Sequence, residues 1–299
     1  MRFFIISLLI VVGLGFGGLY GLVHWGQADM PSPARLRNIA PPVKTTIFDR
    51  DERVIGELYR ENRSYVPLRD VPRCMIDATL AIEDRRFYEH WGLDLFRIFG
   101  AAGRNILRGR VSQGGSTITQ QLAKNLFLTM DQTWQRKIKE QILALRIEQA
   151  YSKDEILELY LNQIYFGDGA YGVESAAHRY FGKSARDLSL AEAALLAGLP
   201  RNPRDYTPRR NMEAARRRRH LVLKAMLDAR FITRDQLAAA DATPIVVTDE
   251  ATAGTKAPYF VETVRQYLDE KYGSDVVYTA GLKVYTTLDL SLQQAAEAA

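Results

Sequence analysis

Three clusters within residues 81–140 combine side chains able to move a proton or hold an anion. The first is Glu83-Asp84-Arg85-Arg86-Phe87-Tyr88-Glu89-His90-Trp91-Gly92. Glu83 follows an apolar run, Met75 to Ile82, so its carboxylate is expected to be partly desolvated, the setting in which an acid serves as a general base. Asp84 adds like charge beside it. A lone acidic pair at a helix end is usually structural. In the second cluster, Gly114-Gly115-Ser116 can bring backbone amides and a helix N-terminus close to an anion. Thr117, Gln120, Gln121 and Lys124 then share one helical face at i, i+3, i+4 and i+7, while Ile118, Leu122 and Leu126 line another. By itself that pattern fits a solvated face. In the third cluster, Arg136 and Lys137 lie four and three residues before Glu140, which an ordinary intrahelical ion pair worth about 0.3–0.5 kcal/mol would also explain.

The elements that must position these clusters are mostly helices. Residues 45–58 alternate around Asp49-Arg50-Asp51-Glu52 and predict a β-hairpin. Asp70-Val71-Pro72 starts a helix that runs into Glu83. Helical patterning follows at 116–128, 133–151, 153–164, 171–180, 190–198 and 211–229, punctuated by Gly167, Gly169, Gly182 and Pro200. Beyond Pro244, Ile245-Val246-Val247 and residues 282–288 read as strands and 291–299 as a helix. This tail reads as the beginning of another unit. No internal repeat is visible.

At 299 residues and 47% hydrophobic content the chain can bury a core, which excludes wholesale disorder. A net charge of +5 suits an anionic partner, whether nucleic acid, acidic lipid or a phosphorylated substrate. The single cysteine, Cys74, excludes a disulfide framework and a thiolate metal site, and reads as a small buried hydrophobe. Residues 3–25 carry no Asp, Glu, Lys or Arg, long enough at about 1.5 Å per residue to cross a hydrocarbon core of about 30 Å. They predict a transmembrane anchor; His24-Trp25-Gly26-Gln27-Ala28 is a poor signal-peptidase site, and Trp25 suits an interface. Arg2 favours a cytoplasmic N-terminus, which puts the remainder outside, although Arg35, Arg37 and Lys44 weaken the asymmetry. Arg216-Arg217-Arg218-Arg219 predicts a solvated face or a contact with anionic lipid, not nucleic acid.

Taken together, the clusters resemble the peptidoglycan glycosyltransferases, which form the N-terminal half of class A penicillin-binding proteins. Glu83-Asp84-x-x-Phe87-x-x-His90-x-Gly92 matches the first family motif. Gly115-Ser116-Thr117-Ile118-Thr119-Gln120-Gln121-Leu122-x-Lys124-Asn125 matches the second and Arg136-Lys137-x-x-Glu140 the third. Lys153-x-x-Ile156-Leu157-Glu158-x-Tyr160-Leu161-Asn162, with Gly167 and Gly172, matches the fourth. Ala191-Glu192-Ala193-Ala194-Leu195-Leu196-Ala197-Gly198-Leu199-Pro200 is taken as the fifth.

The resemblance implies a mainly α, lysozyme-like helical domain at 45–243 with a membrane-embedded lobe and small β elements at its edges. It follows an N-terminal transmembrane helix at 3–25 and a linker at 26–44. Residues 244–299 resemble the linker and start of a truncated transpeptidase half. The implied substrates are lipid II and the growing glycan strand, joined by an inverting transfer that forms β-1,4 links and releases lipid pyrophosphate. Glu83 would take the acceptor proton. Lys124, Arg136 and Lys137 would hold the pyrophosphate, and Glu140 would orient Lys137 or assist the leaving group. Asp84, Phe87, His90, Thr117, Gln120, Gln121 and Asn125 would position sugars and shape the cleft. No cofactor is required, although a divalent cation (Mg or Mn) could bridge the pyrophosphate, and no side chains form a metal site. Membrane lipid and cell-wall synthesis proteins are the implied partners, at the plasma (inner) membrane with the body on the periplasmic side.

Phe127, Leu128, Met130 and Trp134, with Phe96, Ile98 and Phe99, are candidates for the membrane-dipping surface or for core. One departure stands out: where the family often has Glu-Arg-Thr, this chain has Asp131-Gln132-Thr133, so an expected arginine is missing at Gln132 and weaker donor binding is expected. No Ser-x-x-Lys occurs, so this polypeptide is expected neither to cross-link peptides nor to bind penicillin covalently, and reads as a fragment of a longer bifunctional protein. A lysozyme-like glycan-cleaving enzyme and an inactive anchored cell-wall scaffold remain the rival readings. The hydrolase needs an acid on a sugar leaving group, not a cluster of three cations.

Overall fold

The structure, a computed structural model, describes residues 30–32, 36, 45–58, 62–63, 65–94, 115–128, 133–248 and 256–298. The expected membrane helix at 3–25, the residues Phe96, Ile98, Phe99, Gly114 and Met130, and the departure at Gln132 lie outside the described residues. Among the described residues no helix is long and apolar enough to cross a membrane.

In chain order the elements are strands β1 (Thr45–Phe48), β2 (Val54–Leu58) and β3 (Asn62–Arg63), then helices α1 (Arg73–Glu83), α2 (Ile118–Phe127), α3 (Trp134–Ala150) and α4 (Lys153–Gln163). Strand β4 (Ala170–Tyr171) precedes α5 (Val173–Phe181), α6 (Leu190–Gly198), the short α7 (Pro203–Tyr206), α8 (Met212–Asp228) and α9 (Arg234–Ala242). The chain continues through α10 (Pro258–Tyr272), α11 (Ser274–Thr279), β5 (Lys283–Tyr285) and α12 (Leu290–Ala298). The protein is therefore mainly helical with a small sheet. It divides into two compact units, one of residues 1–39 and 86–156, the other of 40–85 and 157–299.

In the first unit α2 packs against α3. Phe87, Ile118, Leu122, Ala123, Leu143, Ala144 and Ile147 are fully buried there. Both helices start where a threonine side chain accepts a backbone N–H: Thr117 from Gln120, and Thr133 from Arg136.

In the second unit α1, α6 and α8 pack pairwise on one another. Helix α6 is apolar nearly all round, as its Ala-Leu composition requires of a buried helix. A three-stranded sheet in the order β2-β1-β5 lies elsewhere in this unit. The expected hairpin forms, with β1 antiparallel to β2 and a register shift between Ile47 and Phe48, and β5 adds in parallel to β1. Ile47, Ile55 and Leu58 from the hairpin join Val261, Leu268, Val277 and Leu290 in one apolar cluster.

Two expectations are corrected. Residues 245–247 form no strand. Val246 is 74% exposed, and this stretch is held through the Thr248 N–H, which donates to the Tyr180 carbonyl at 2.8 Å. An apolar triplet without a neighbouring strand has no ladder to join. The four arginines at 216–219 do not share a solvated face either: Arg218 and Arg219 are buried, whereas Arg216 and Arg217 are exposed. Their phase is that of the inward stripe Ala214, Ala215, Val222, Leu223 and Met226. The Arg219 fork donates to the carbonyls of Asp241 and Thr243 at 2.7 and 2.8 Å, which caps the end of α9.

Candidate active site

The first unit gathers the third cluster around one buried carboxylate. Glu140 is 3% exposed on α3. Lys137, one helical turn earlier, donates to it, and Arg136 reaches its second oxygen at 3.4 Å. Lys137 Nζ also donates to Ser116 Oγ at 2.9 Å, which draws the cluster to the residue just before the N-cap of α2. Arg136 Nε is buried and takes no partner among the described residues. Two cations on one carboxylate leave a net positive charge beside a helix N-terminus, the setting that attracts an anion.

The second cluster is turned partly into scaffold. Thr117 and Gln120 are buried and close a capping box: the Thr117 N–H donates to Gln120 Oε1 at 2.9 Å and the Gln120 N–H to Thr117 Oγ1 at 3.1 Å. The Thr117 hydroxyl then donates to the Gly92 carbonyl at 2.6 Å, tying the second motif to the first. Gly92 has φ +76°, and a Cβ there would stand 3.1 Å from the Ala144 carbonyl oxygen, so the turn needs glycine. Gln121 and Lys124 are half-buried further along α2, and Asn125 is exposed.

Phe87 is fully buried, with His90 edge-on at 6.3 Å and Lys153 Nζ 4.5 Å above its ring. Lys153 also pairs with Glu148 at 2.8 Å, and Glu148 accepts the Thr119 hydroxyl at 2.6 Å. Glu148 belongs to no motif; its place one turn beyond Ala144 on the buried side of α3 is the signal that sequence reasoning missed. Phe87 thus carries Lys153 on its face and His90 at its edge, one packed group beneath the first motif.

In the second unit Glu83 ends α1 half-buried, and Asp84, fully buried, follows as its C-cap. The buried Tyr160 of α4 lies in their field: burial, then the charges of Glu83 and Asp84, push its hydroxyl well above the usual tyrosine range. The fourth motif is mostly structural here. Asn162 accepts the Val66 N–H at 2.9 Å and donates to the Val66 carbonyl at 2.8 Å, and Glu158 accepts the Leu68 N–H at 2.6 Å. The stretch taken as the fifth motif supplies the buried α6 and no polar site group.

Among the described residues no group of three or more His, Cys, Asp or Glu could hold a metal ion. Glu140, the carboxylate nearest the cations, has both oxygens engaged by them. The donor set around Glu140 does not fit a protein-held divalent cation.

Residues 51–227 match the family model described as "Transglycosylase". The chain belongs to the transglycosylase family. As a family member it is a peptidoglycan glycosyltransferase domain. It is 45% identical over 99% of its length to "Penicillin-binding protein 1A" of Aquifex aeolicus, and 42% identical over its whole length to the proteins of that name from Vibrio cholerae and Escherichia coli. It spans 41%, 36% and 35% of those three relatives. Among solved structures, the crystal structure of penicillin-binding protein 1A from Haemophilus influenzae matches this transglycosylase with a TM-score of 0.50 and 28% identity, over 87% of this chain and 29% of that one.

Proposed function

We propose that this transglycosylase polymerises lipid II into glycan strands. The acceptor sugar's 4-hydroxyl attacks the anomeric carbon of the growing strand, its proton passing to the Glu83 carboxylate. The α-linked bond to pyrophosphate breaks, its electron pair leaves on the pyrophosphate oxygen, and a β-1,4 link forms with inversion. Charge develops on the leaving oxygens, so cations help more than an acid would. Arg136 and Lys137 supply them, Glu140 fixes both ammonium and guanidinium in place, and Lys124 adds a third cation. Gln121 and Asn125 contact sugars, while Thr117, Gln120, Phe87, His90 and Asp84 hold the site in shape.

The observation that carries this reading is the paired cation cluster on the buried Glu140, with Arg136 Nε left without a partner. A hydrolase would have no use for it. The fold is lysozyme-like, anchored by residues 3–25 with the body on the periplasmic face, and a lobe including Trp134, 87% exposed, meets the membrane.

Labelled lipid II incubated with the detergent-solubilised chain should yield long glycan strands, and Glu83→Gln should yield none. Fragments released from intact cell wall, or polymer undiminished in Glu83→Gln, would each sink the assignment.

A further inference from the structure

A second surface of the first unit has no part in the chemistry above. Trp91 is 83% exposed, and its indole takes no hydrogen-bond or ring partner among the described residues. The ring stands between two cavities, which share it and the exposed Leu145. One cavity, of about 410 Å³, is bounded by Arg86, Glu89 and Asp94, and the other, of about 490 Å³, by Tyr88, Gln149 and Ser152. Both fall within the size of ordinary small-molecule sites, about 300–1,000 Å³. Leu145 lies five residues beyond Glu140 on α3, which at about 3.6 residues per turn rotates it about 140° away, so the cavities open on another side of the helix than the cations.

The plate is held in place from both ends. Just after Trp91, the Gly92 carbonyl accepts the Thr117 hydroxyl at 2.6 Å. Just before it, the Tyr88 hydroxyl donates to Asp154 at 2.9 Å, and the Tyr88 ring lies edge-on to Phe87 at 5.2 Å. Arg86 forks onto Asp94, and Lys153 pairs with Glu148, so an anionic headgroup would find no unmatched cation at these cavities. Glu89 and Gln149, one on each side of the ring, are exposed, and their side chains take no partner among the described residues. Insertion of the indole into a bilayer would strip water from Glu89, Gln149 and Ser152 together, which is costly without new partners. An apolar plate edged by donors and acceptors matches a pyranose, whose C–H faces are apolar and whose hydroxyls form a polar rim.

We propose that Trp91 is the floor of a glycan-holding site outside the catalytic centre. One sugar of a neutral, β-linked strand lies flat on the indole, its neighbours enter the two cavities, and Glu89 and Gln149 bond their hydroxyl or acetamido groups. The proposal rests on the reading of the chain as a glycan polymerase for the source of that strand, its own product. A strand tethered there stays near the reacting centre at a raised effective concentration, so the site favours longer products without touching the reacting atoms.

The test uses the full 299-residue chain in detergent, with a soluble tetramer of β-1,4-linked N-acetylglucosamine as the probe and labelled lipid II as the substrate. The tetramer should bind saturably by calorimetry and alter tryptophan emission. Trp91→Ala should weaken that binding about tenfold, with Trp91→Phe recovering part of the loss. Glu89→Ala and Gln149→Ala should each weaken it about threefold, as loss of one hydrogen bond does, while Trp134→Phe and Glu83→Gln bind as the parent does. With lipid II, Trp91→Ala should start at a rate within about twofold of the parent and make shorter strands. Absence of saturable binding, equal binding in Trp91→Ala, a loss that follows Glu83→Gln instead, or strands of unchanged length in Trp91→Ala each overturns the inference. So does a Trp91 emission shifted to the blue by phosphatidylglycerol vesicles and unmoved by the tetramer, which gives the ring to the membrane. The two readings fail separately: no polymer from lipid II beside intact tetramer binding sinks glycosyl transfer, whereas polymer without Trp91-dependent binding removes only this site.

Discussion

Glu140 is 3% exposed and bonded to two cations of its own helix, so its worth lies in what it holds still. An isolated pair of this kind on an exposed helix contributes little, but burial beside Ser116 makes the geometry of Lys137 fixed in advance of any substrate. Lys137→Met should therefore lower turnover by about 10²–10³, the range seen when a preorganised charge-stabilising donor is removed. Initial rates of lipid II polymerisation check it, and a rate equal to the parent's would take Lys137 out of the site. At this scale the sequence was readable for the pairing of 136, 137 and 140, since i, i+3 and i+4 spacing fixes their common face. The capping box of Thr117 with Gln120 and the full burial of Phe87 were not readable, because a side chain engaged in a cap or a core has the same letter as one offered to a sugar.

Helix ends carry much of the local order, and α6 shows how. Ser189 and Glu192 form a capping box, and Lys183 pairs with Glu192 at 2.7 Å. Burial pushes the Glu192 carboxyl up, but the hydrogen bond from Lys183 and those from the Ser189 N–H and hydroxyl outweigh it and hold the group below the usual carboxylate range. A depressed carboxyl contributes stability that is present above its unfolded value, about 4.3, and is lost as pH falls through the folded one. Glu192→Gln should thus have a lower thermal midpoint near neutrality and a shallower acid decline. Parallel curves for variant and parent from about pH 6 to 3 would refute this. The helices expected between 116 and 229 were legible to within about two residues, since apolar period and punctuation agree along 190–198 and 211–229, whereas α7, α9, α10 and α11 were not anticipated. Arg218 and Arg219 were misread because four consecutive arginines mask a period that their apolar neighbours, Ala214, Ala215, Val222 and Leu223, display plainly. Residues 245–247 were misread for the opposite reason: strand-like letters say nothing about whether a partner strand is there.

Over the whole molecule, composition suggested that residues 244–299 begin a separate unit, and nothing local in 45–58 hinted that its partner lay more than two hundred residues away. The sheet joins them. Thr45 Oγ donates to the Val277 carbonyl at 2.6 Å and accepts the Leu282 N–H at 3.1 Å, and β5 runs beside β1 over three residue pairs. Val261, Leu268, Val277 and Leu290 cover the inner face of the hairpin. Each such side chain is worth about 1.5–3 kcal/mol when fully buried, and four together rival the 5–15 kcal/mol that holds a typical domain folded. The helices α1, α6 and α8 do not share this cluster. A chain ending at Thr248 should therefore keep its helical circular dichroism while the amides of 45–58 lose hydrogen-exchange protection and the exposed face of Ile47, Ile55 and Leu58 binds an apolar dye. Undiminished protection of those amides would show that the hairpin stands without the tail, and that β5 is an addition to a strand pair already stable by itself.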